Sequence, residues 1–342
     1  MKKGITIGMD LGDKNHQVSI LDADGQIMER REVACNRRAV MAFFRQHAGA
    51  VVAMETGTHS RWVSNLAEAE RLEVLVGNPR KLRAIWASRQ KSDVRDADML
   101  ARIARFDRQL LYPIHHRNEV AHADLELIKA RDLLVRGRAN LIVHIRSVVK
   151  SWGARLPASS AAAFARKVQV PEALRLAVDP LLKVIQELSD KIRLYDQLIA
   201  EAAKQRYPET VYLSQVTGVG TLTALAYVLT LEDPGRFATS RMVGPYLGLT
   251  PRRDQSGQTD KQLRITKAGD GHVRRLLVGC AHYILGPFGP DTDLRRYGLC
   301  LAERGGKNAK RRAVVAVARK LAVLLHALWK SGARYEPNRK AA

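Results

Sequence analysis

Along the first part of the chain, Ile5, Ile7 and Met9 alternate with Thr6, Gly8 and Asp10. This period of two predicts a half-buried strand with an acid near its end. Gly12 permits a tight path, Val18 to Leu21 resumes the apolar run, and Asp22-Ala-Asp-Gly25 predicts a hairpin turn of the Asp-Gly kind. Gln26 to Cys35 continues as a further strand, and Ala39, Val40, Phe43 and Phe44 give 37–47 the spacing of a helix. Ala50 to Glu55 is then a short buried strand closed by a second acid, and Thr56-Gly57-Thr58 can cap a helix running through Leu66 and Ala69. Leu72 to Val76 predicts another strand, which Asn78-Pro79 stops. Strands interleaved with helices in this order make a mixed α/β unit. Asp10 and Glu55 fall at the ends of two of its strands, where open α/β sheets display functional groups.

Lys91-Ser-Asp-Val-Arg-Asp-Ala-Asp opens a helix that continues to Arg105, with Ser92 or Asp93 as its N-cap. Asp93 and Asp96 are three apart and project from one face, whereas Asp98 lies off it and can pair with Arg102 at i+4. Two readings of these acids stand side by side: a cap and solvated charges, or part of a carboxylate set with Asp10 and Glu55. Such a set on rigid elements is what a hard cation such as Mg²⁺ requires, and one or two ions there could act on a phosphodiester.

Tyr112-Pro113 closes this unit, and His115-His116 is expected at the surface. Apolar positions then recur at helical spacing over 121–149 and again over 171–204, with a break near Pro157, which predicts an antiparallel pair or coiled-coil arm. Beyond Tyr207-Pro208, 213–229 reads as helix, Gly-Val-Gly turn, helix, similar to one hairpin of a helix-hairpin-helix motif, in which Gly218 and Gly220 would let a phosphate approach. Residues 237–249 read as helix or turn. A polar, basic loop then carries Ser256-Gly257 among Arg252, Arg253, Lys261, Arg264 and Lys267; from composition alone this serine is a turn residue. Apolar-periodic helices are predicted over 276–284 and 309–329, the second preceded by Lys307 and opened by Lys310, Arg311 and Arg312 facing phosphate.

Charge sharpens the picture. The 342 residues hold 57 Lys and Arg against 34 acids, a formal net charge of +23 spread along the length. An excess of that size repels itself in the folded state unless a polyanion neutralises it, so nucleic acid is the expected partner. No apolar run approaches the roughly 20 residues of a membrane span, and no signal-type segment precedes the first strand, so the cytoplasm is the expected compartment and no membrane partner is expected. Cys35, Cys280 and Cys300 are scattered without Cys-x-x-Cys spacing and read as small buried apolar residues.

Taken together, Gly-Met-Asp10-Leu-Gly, Ala-Met-Glu55-Thr-Gly-Thr and Lys-Ser-Asp93-Val-Arg-Asp96-Ala resemble the DEDD-type transposases of bacterial insertion sequences, the IS-one-ten family with its IS-eleven-eleven branch, related to Piv-like DNA invertases. Val-Thr-Gly-Val-Gly, Tyr-Leu-Gly-Leu-Thr-Pro-Arg-Arg, Gln-Ser-Gly and Thr-Lys-Ala-Gly-Asp extend the likeness over nearly the whole chain. The resemblance implies a RuvC-like (ribonuclease H fold) domain over 1–118, a helical coiled-coil arm over 119–206, a mainly helical C-terminal transposase domain over 207–335 and a tail over 336–342. It implies that Asp10, Glu55, Asp93 and Asp96 bind Mg²⁺ and that Ser256 is the nucleophile of a phosphoserine-DNA intermediate. It also implies a structured RNA encoded by the element that pairs with donor and target DNA, and a dimer or tetramer that completes a composite site. Arg252, Arg253, Arg264 and Lys267 are assigned to phosphate by charge and position alone.

Three other readings compete. A RuvC-like Holliday-junction resolvase would use the same acids to activate water and leave Ser256 idle. The Asp10-Leu-Gly strand also resembles the phosphate loop of the sugar-kinase and actin ATPase fold, though no second Asp-x-Gly-Thr loop follows. A non-catalytic RNA-binding protein would use the basic helical arm alone.

Overall fold

The computed structural model describes residues 4–82, 92–257, 259–306 and 308–338. Its contacts divide the chain into two compact units, Met1–His116 and Arg117–Ala342.

The first unit is built on five strands, β1 (Thr6–Asp10), β2 (Asn15–Leu21), β3 (Ile27–Ala34), β4 (Val51–Glu55) and β5 (Glu73–Gly77), in the order β3-β2-β1-β4-β5. β1, β2 and β3 pair antiparallel, and β1-β4-β5 pair parallel. The hairpin between β2 and β3 turns as expected: Asp22 Oδ1 accepts from the backbone N–H groups of Asp24 and Gln26, each at 2.9 Å. Alternation sends Ile7, Met9, Val18, Ile20, Val52 and Met54 to one face. There they meet Val40, Phe43 and Phe44 of α1 (Arg37–Gln46) and Val63 and Ala67 of α2 (Ser60–Ala69). Asn36 caps α1, accepting from the Ala39 N–H at 2.9 Å. α2 has no such side-chain cap. The Thr56 hydroxyl, expected to cap it, donates instead to the Gly77 carbonyl at 2.9 Å and so ties the chain after β4 to β5.

The other face receives α3 (Asp93–Phe106), whose Leu100 and Ala104 pack with Ala53 and Leu75. Contact is closest at Gly8, where a Cβ would stand 2.0 Å from the Ala97 carbonyl oxygen and 2.5 Å from the Ala101 nitrogen. Only glycine lets the helix backbone lie this near the strand. Gly8→Ala should therefore destabilise the first unit by about 3 kcal/mol or more, the scale of an overpacked core, while Gly279→Ala, on an open helix surface, should gain about 0.5–1 kcal/mol. Urea denaturation of both variants measures the contrast.

In the second unit α4 (Glu119–Ser151) extends beyond the 121–149 read from the sequence at both ends, whereas α5 (Arg175–Arg206) starts later and ends later than the 171–204 read there; each is about 50 Å long. They run antiparallel: Arg131 meets Asp196 at 2.8 Å and Arg138 meets the Ser189 hydroxyl at 3.1 Å. At one end Ile145, Val149, Phe164, Val178 and Ile185 form a small core of their own. At the other, Ala121, Leu125, Ile128, Ile199 and Ala202 join the main core, with α6 (Thr221–Leu231) buried at its centre. Asp124, buried here, is held by Arg206 at 2.5 and 2.9 Å and by the Tyr207 hydroxyl at 2.9 Å. Burial, then the bond to Asp124, pushes the Tyr207 phenol well above its ordinary value.

The region expected to be a basic loop is a two-stranded antiparallel ribbon, β6 (Pro251–Ser256) and β7 (Thr259–Ile265), exposed along almost its whole length. Helices α7 (Gly271–Leu285), α8 (Asp293–Glu303) and α9 (Ala309–Ser331) complete the unit. α8 is not foreseen in the sequence. Residues 237–249 form only short turns of helix, at Ser240–Met242 and Val243–Tyr246. Of the cysteines, all free, Cys280 is buried and Cys35 half-buried, but Cys300 is exposed, against the expectation that all three are buried. Among the described residues no helix is long and apolar enough to cross a membrane.

Candidate active site

The carboxylates come together through the backbone. β1 and β4 are neighbours in parallel register, with Met9 opposite Met54, so the next residues, Asp10 and Glu55, leave adjacent strand ends together. Gly8 and Ala53 face α3; Asp10 and Glu55, two residues further along, take the same face. Arg105, near the end of α3, donates from Nη1 to the Gly4 carbonyl ahead of β1 at 2.9 Å, whereas Ala97 and Ala101 lie against Gly8. The helix thus runs antiparallel to β1 and carries its first turn, with Asp93 and Asp96, toward the strand ends that bear Asp10 and Glu55.

Ser92 is the N-cap of α3, accepting from the Arg95 N–H at 3.4 Å, so Asp93 is not needed for capping. Asp93 is exposed, Asp96 is buried, and Asp10 and Glu55 are half-buried. Carboxylate oxygens on rigid elements fit a hard divalent cation in kind and in placement. Among the described residues no group of three or more His, Cys, Asp or Glu side chains stands arranged to hold an ion; the acids share one end of the sheet without forming a closed cage.

Asp98 is engaged elsewhere. Its partner is Arg30 of β3, through a fork of two bonds at 3.0 and 2.9 Å, and not Arg102 one helical turn away. Burial alone would raise the Asp98 carboxyl, but hydrogen bonds from Arg30 and Ser19, with the charges of Arg30 and Arg102, outweigh it and hold the group below its ordinary value. A carboxyl more acidic in the fold than in the unfolded chain stabilises fully above its unfolded pKa of about 3.9, and that contribution fades as pH falls through the lower folded value. Stability measured from pH 5 down to 3 should fall less steeply for Asp98→Asn than for the parent.

The loops that follow Asp10 and Glu55 hold residues that sequence reasoning missed. His59 bonds Asp13 at 3.0 Å, Trp62 Nε1 donates to His59 Nδ1 at 3.2 Å, and Cys35 Sγ lies 3.8 Å from the same nitrogen. His16 is fully buried, with its ring 6.0 Å from both the His59 and Trp62 rings. Burial, then the nearby His59, lowers the His16 pKa. The only sequence signal was spacing, since Asp13 and His59 follow their acids by three and four residues.

In the second unit Ser256 ends β6, opposite Thr259, while Asp254 is opposite Lys261. These four share one face of the ribbon, which places Lys261 diagonally across from Ser256. Arg253 belongs to the other face and is held by Asp260 at 2.7 and 2.6 Å. Arg252, Arg264 and Lys267 are exposed. The root of the ribbon joins two of the sequence motifs: a Cβ on Gly248 would stand 2.3 Å from the Ala268 backbone, and one on Gly269 2.1 Å from the Tyr246 carbonyl. Asp270 then caps α7, accepting from His272 and Val273 at 2.7 and 3.0 Å. Gly218 and Gly220 lie in the turn before α6, Gly220 as its N-cap. His115 is exposed and His116 half-buried, and Lys310, Arg311 and Arg312 are exposed at the start of α9. Lys307 and Lys91 lie outside the described residues.

A five-stranded mixed sheet in this order, with helices on both faces, is consistent with a ribonuclease H-like domain. A family model described as a transposase matches residues 7–153, and one described as the IS116/IS110/IS902 transposase family matches 211–292. The chain is similar, at 27% identity over 97% of its length and 98% of the relative's, to a probable family 20 transposase of Pseudomonas aeruginosa. It is 26% identical, over 96% of its length and 90% of the relative's, to the transposase for insertion sequence element IS1111A of Coxiella burnetii. A third relative, the transposase for IS1328 of Yersinia enterocolitica, is 27% identical over 80% of this chain and 82% of its own. The two family models and the relatives, which run along nearly the whole chain, support an insertion-sequence transposase of the IS110/IS1111 family, whose activity implies cutting and rejoining of DNA.

Proposed function

We propose that this transposase works through a covalent protein-DNA intermediate, with Ser256 as nucleophile and Asp10, Glu55, Asp93 and Asp96 as the ligands of Mg²⁺. The observation that carries the reading is the convergence of β1, β4 and the start of α3, which brings four acids to one end of a sheet in a protein of charge +23. Mg²⁺ held there would supply Lewis-acid polarisation of the scissile phosphate. Ser256 Oγ gives up its proton and forms a bond to phosphorus as the bond from phosphorus to one deoxyribose oxygen breaks, that oxygen taking up a proton and leaving as a hydroxyl. The phosphoester is thereby kept in the protein-DNA link for rejoining. Ser256 is supported for this role by its exposure at the end of a ribbon rooted on closely packed backbone, and Lys261 on the same face supplies positive charge for the attacked phosphate. Because Ser256 belongs to one unit and the acids to the other, the reading requires one phosphate to be reached from both.

Sequence readout, in this reading, is delegated to a structured RNA encoded by the element, which pairs with donor and target DNA. The dispersed positive charge supports such a division, because the protein then needs phosphate contacts more than base contacts. Arg252, Arg264, Lys267 and the glycine turn at Gly218 and Gly220 are offered as phosphate contacts, the turn in the manner of a helix-hairpin-helix, and a dimer or tetramer as the working form. Arg253 contributes only if DNA displaces Asp260.

The test incubates the full-length protein, with the RNA it carries, Mg²⁺ and DNA containing the element's junction, and looks for a covalent protein-DNA adduct. An adduct mapped to Ser256 supports the reading. Cleavage with no adduct at any time point overturns it and makes water the nucleophile.

A further inference from the structure

The cluster beneath the two acidic strand ends has a geometry of its own. An indole N–H can only donate. The 3.2 Å contact from Trp62 Nε1 therefore requires a lone pair on His59 Nδ1, and the ring proton must sit on Nε2. Nε2 is the nitrogen that faces Asp13 Oδ1 at 3.0 Å, so His59 donates to Asp13 in the tautomer that Trp62 selects. Asp13 lies in the turn that leaves Asp10, and His59 lies in the turn that leaves Glu55 and opens α2.

The rest of each turn is tied to other elements. The Cys35 N–H donates to the Lys14 carbonyl at 2.8 Å, and the Thr56 hydroxyl fastens the Glu55 turn to Gly77, while Ser60 braces that turn internally by donating to the Gly57 carbonyl. Past the last register pair, Met9 with Met54, the ladder no longer fixes the separation of the two strands. His59 with Asp13 is a side-chain link that spans the gap beyond it.

We propose that His59 is a positioning residue: locked in one tautomer by Trp62, it clamps the turn after Asp10 to the turn after Glu55 and so sets the separation of the two carboxylates. The inference rests on the reading of Asp10 and Glu55 as metal ligands. It adds that their spacing is held from the α2 side of the sheet, opposite α3, by residues outside the four carboxylates. Outer groups that fix ligands in this way are worth about 10–100-fold in metal affinity.

The experiment titrates the full-length protein with Mn²⁺, following the free-ion paramagnetic signal, and follows indole fluorescence and thermal melting in parallel. Asp10→Asn reports on the carboxylate site itself. His59→Asn keeps an acceptor near Trp62 but falls short of Asp13, and should weaken Mn²⁺ binding about tenfold. His59→Gln reaches Asp13 with an N–H and should restore binding to within about threefold of the parent. Asp13 is exposed, so Asp13→Ala removes the clamp with no risk to folding. Its effect should not add to that of His59→Asn, whereas a loss through charge alone would persist in the double variant.

Parental Mn²⁺ affinity in both His59→Asn and Asp13→Ala, with affinity lost in Asp10→Asn, overturns the clamp and leaves the carboxylate site standing. Fully additive losses also overturn it. Unchanged affinity in Asp10→Asn removes the carboxylate site and the clamp with it.

Discussion

Ser256→Ala is expected to form no covalent adduct with junction DNA and to rejoin no strands, with a rate loss on the order of 10⁶-fold, the scale seen when a serine nucleophile is deleted. The size follows from the role proposed for the residue. A positioning or binding group lowers a barrier by part of its height, whereas the nucleophile supplies the bond that defines the intermediate, and no neighbour on the ribbon can replace it. Thr259, across the strand pair, carries a hydroxyl on the same face but from a different backbone position, and a misplacement of even 1 Å can cost about a hundredfold. The fold should not notice the change. Ser256 is exposed on an exposed ribbon, and surface substitutions of this kind stay within about 0.5 kcal/mol. Inactivity with parental melting and parental DNA affinity is the expected signature; an adduct of normal yield in Ser256→Ala would remove the serine from the mechanism.

Asp10→Asn is the second large effect. The amide keeps the shape of the carboxylate and loses its charge, so in the proposed metal site the polarisation of the phosphate should fall by about 4 kcal/mol, or about a thousandfold in cleavage rate. Glu55→Gln should behave alike. Asp98→Asn is the instructive control, because that acid shares the helix of Asp93 and Asp96 but is tied to Arg30 on β3. It should shift acid stability and leave cleavage near parental. A metal-dependent cleavage assay at saturating DNA distinguishes the two classes, and normal cleavage by Asp10→Asn would sink the metal assignment.

The sheet was legible because residue type alternates on β1 and short apolar runs bounded by turn residues mark β2 and β4, although these strands are buried on both faces, and the arm because apolar residues repeat at helical spacing over more than thirty residues. The ribbon was not, since both strands are exposed and polar. Nothing alternates in β6 and β7; their pairing rests on backbone bonds and the Arg253–Asp260 fork. The partner of Asp98 was misassigned for a related reason: local spacing offers Arg102, while the fold brings Arg30 from 68 residues away. Cys300 on the surface and the short turns at 240–246 are cases where hydrophobic composition alone decides little. In the candidate site, the strand-end placement of Asp10 and Glu55 could be read from the run of residues that precedes each. The antiparallel course of α3 that brings Asp93 and Asp96 to the same end could not.

The polar middle of the long helix pair has a consequence for how the arm can slide. Arg131 and Arg138 are one heptad apart, as are Ser189 and Asp196, so both pairs are satisfied only in the observed alignment. A slip by one heptad in one direction would set Arg138 against Leu182 and leave Asp196 facing no arginine; in the other it would give Asp196 to Arg138 but leave Arg131 against Ala203. Arginine in such a seam sacrifices some stability to fix alignment. With alignment fixed, the small core around Phe164 is kept at one reach from the main body. The arm is thus a ruler of defined length, and Arg138→Leu should make a firmer arm that no longer measures one distance.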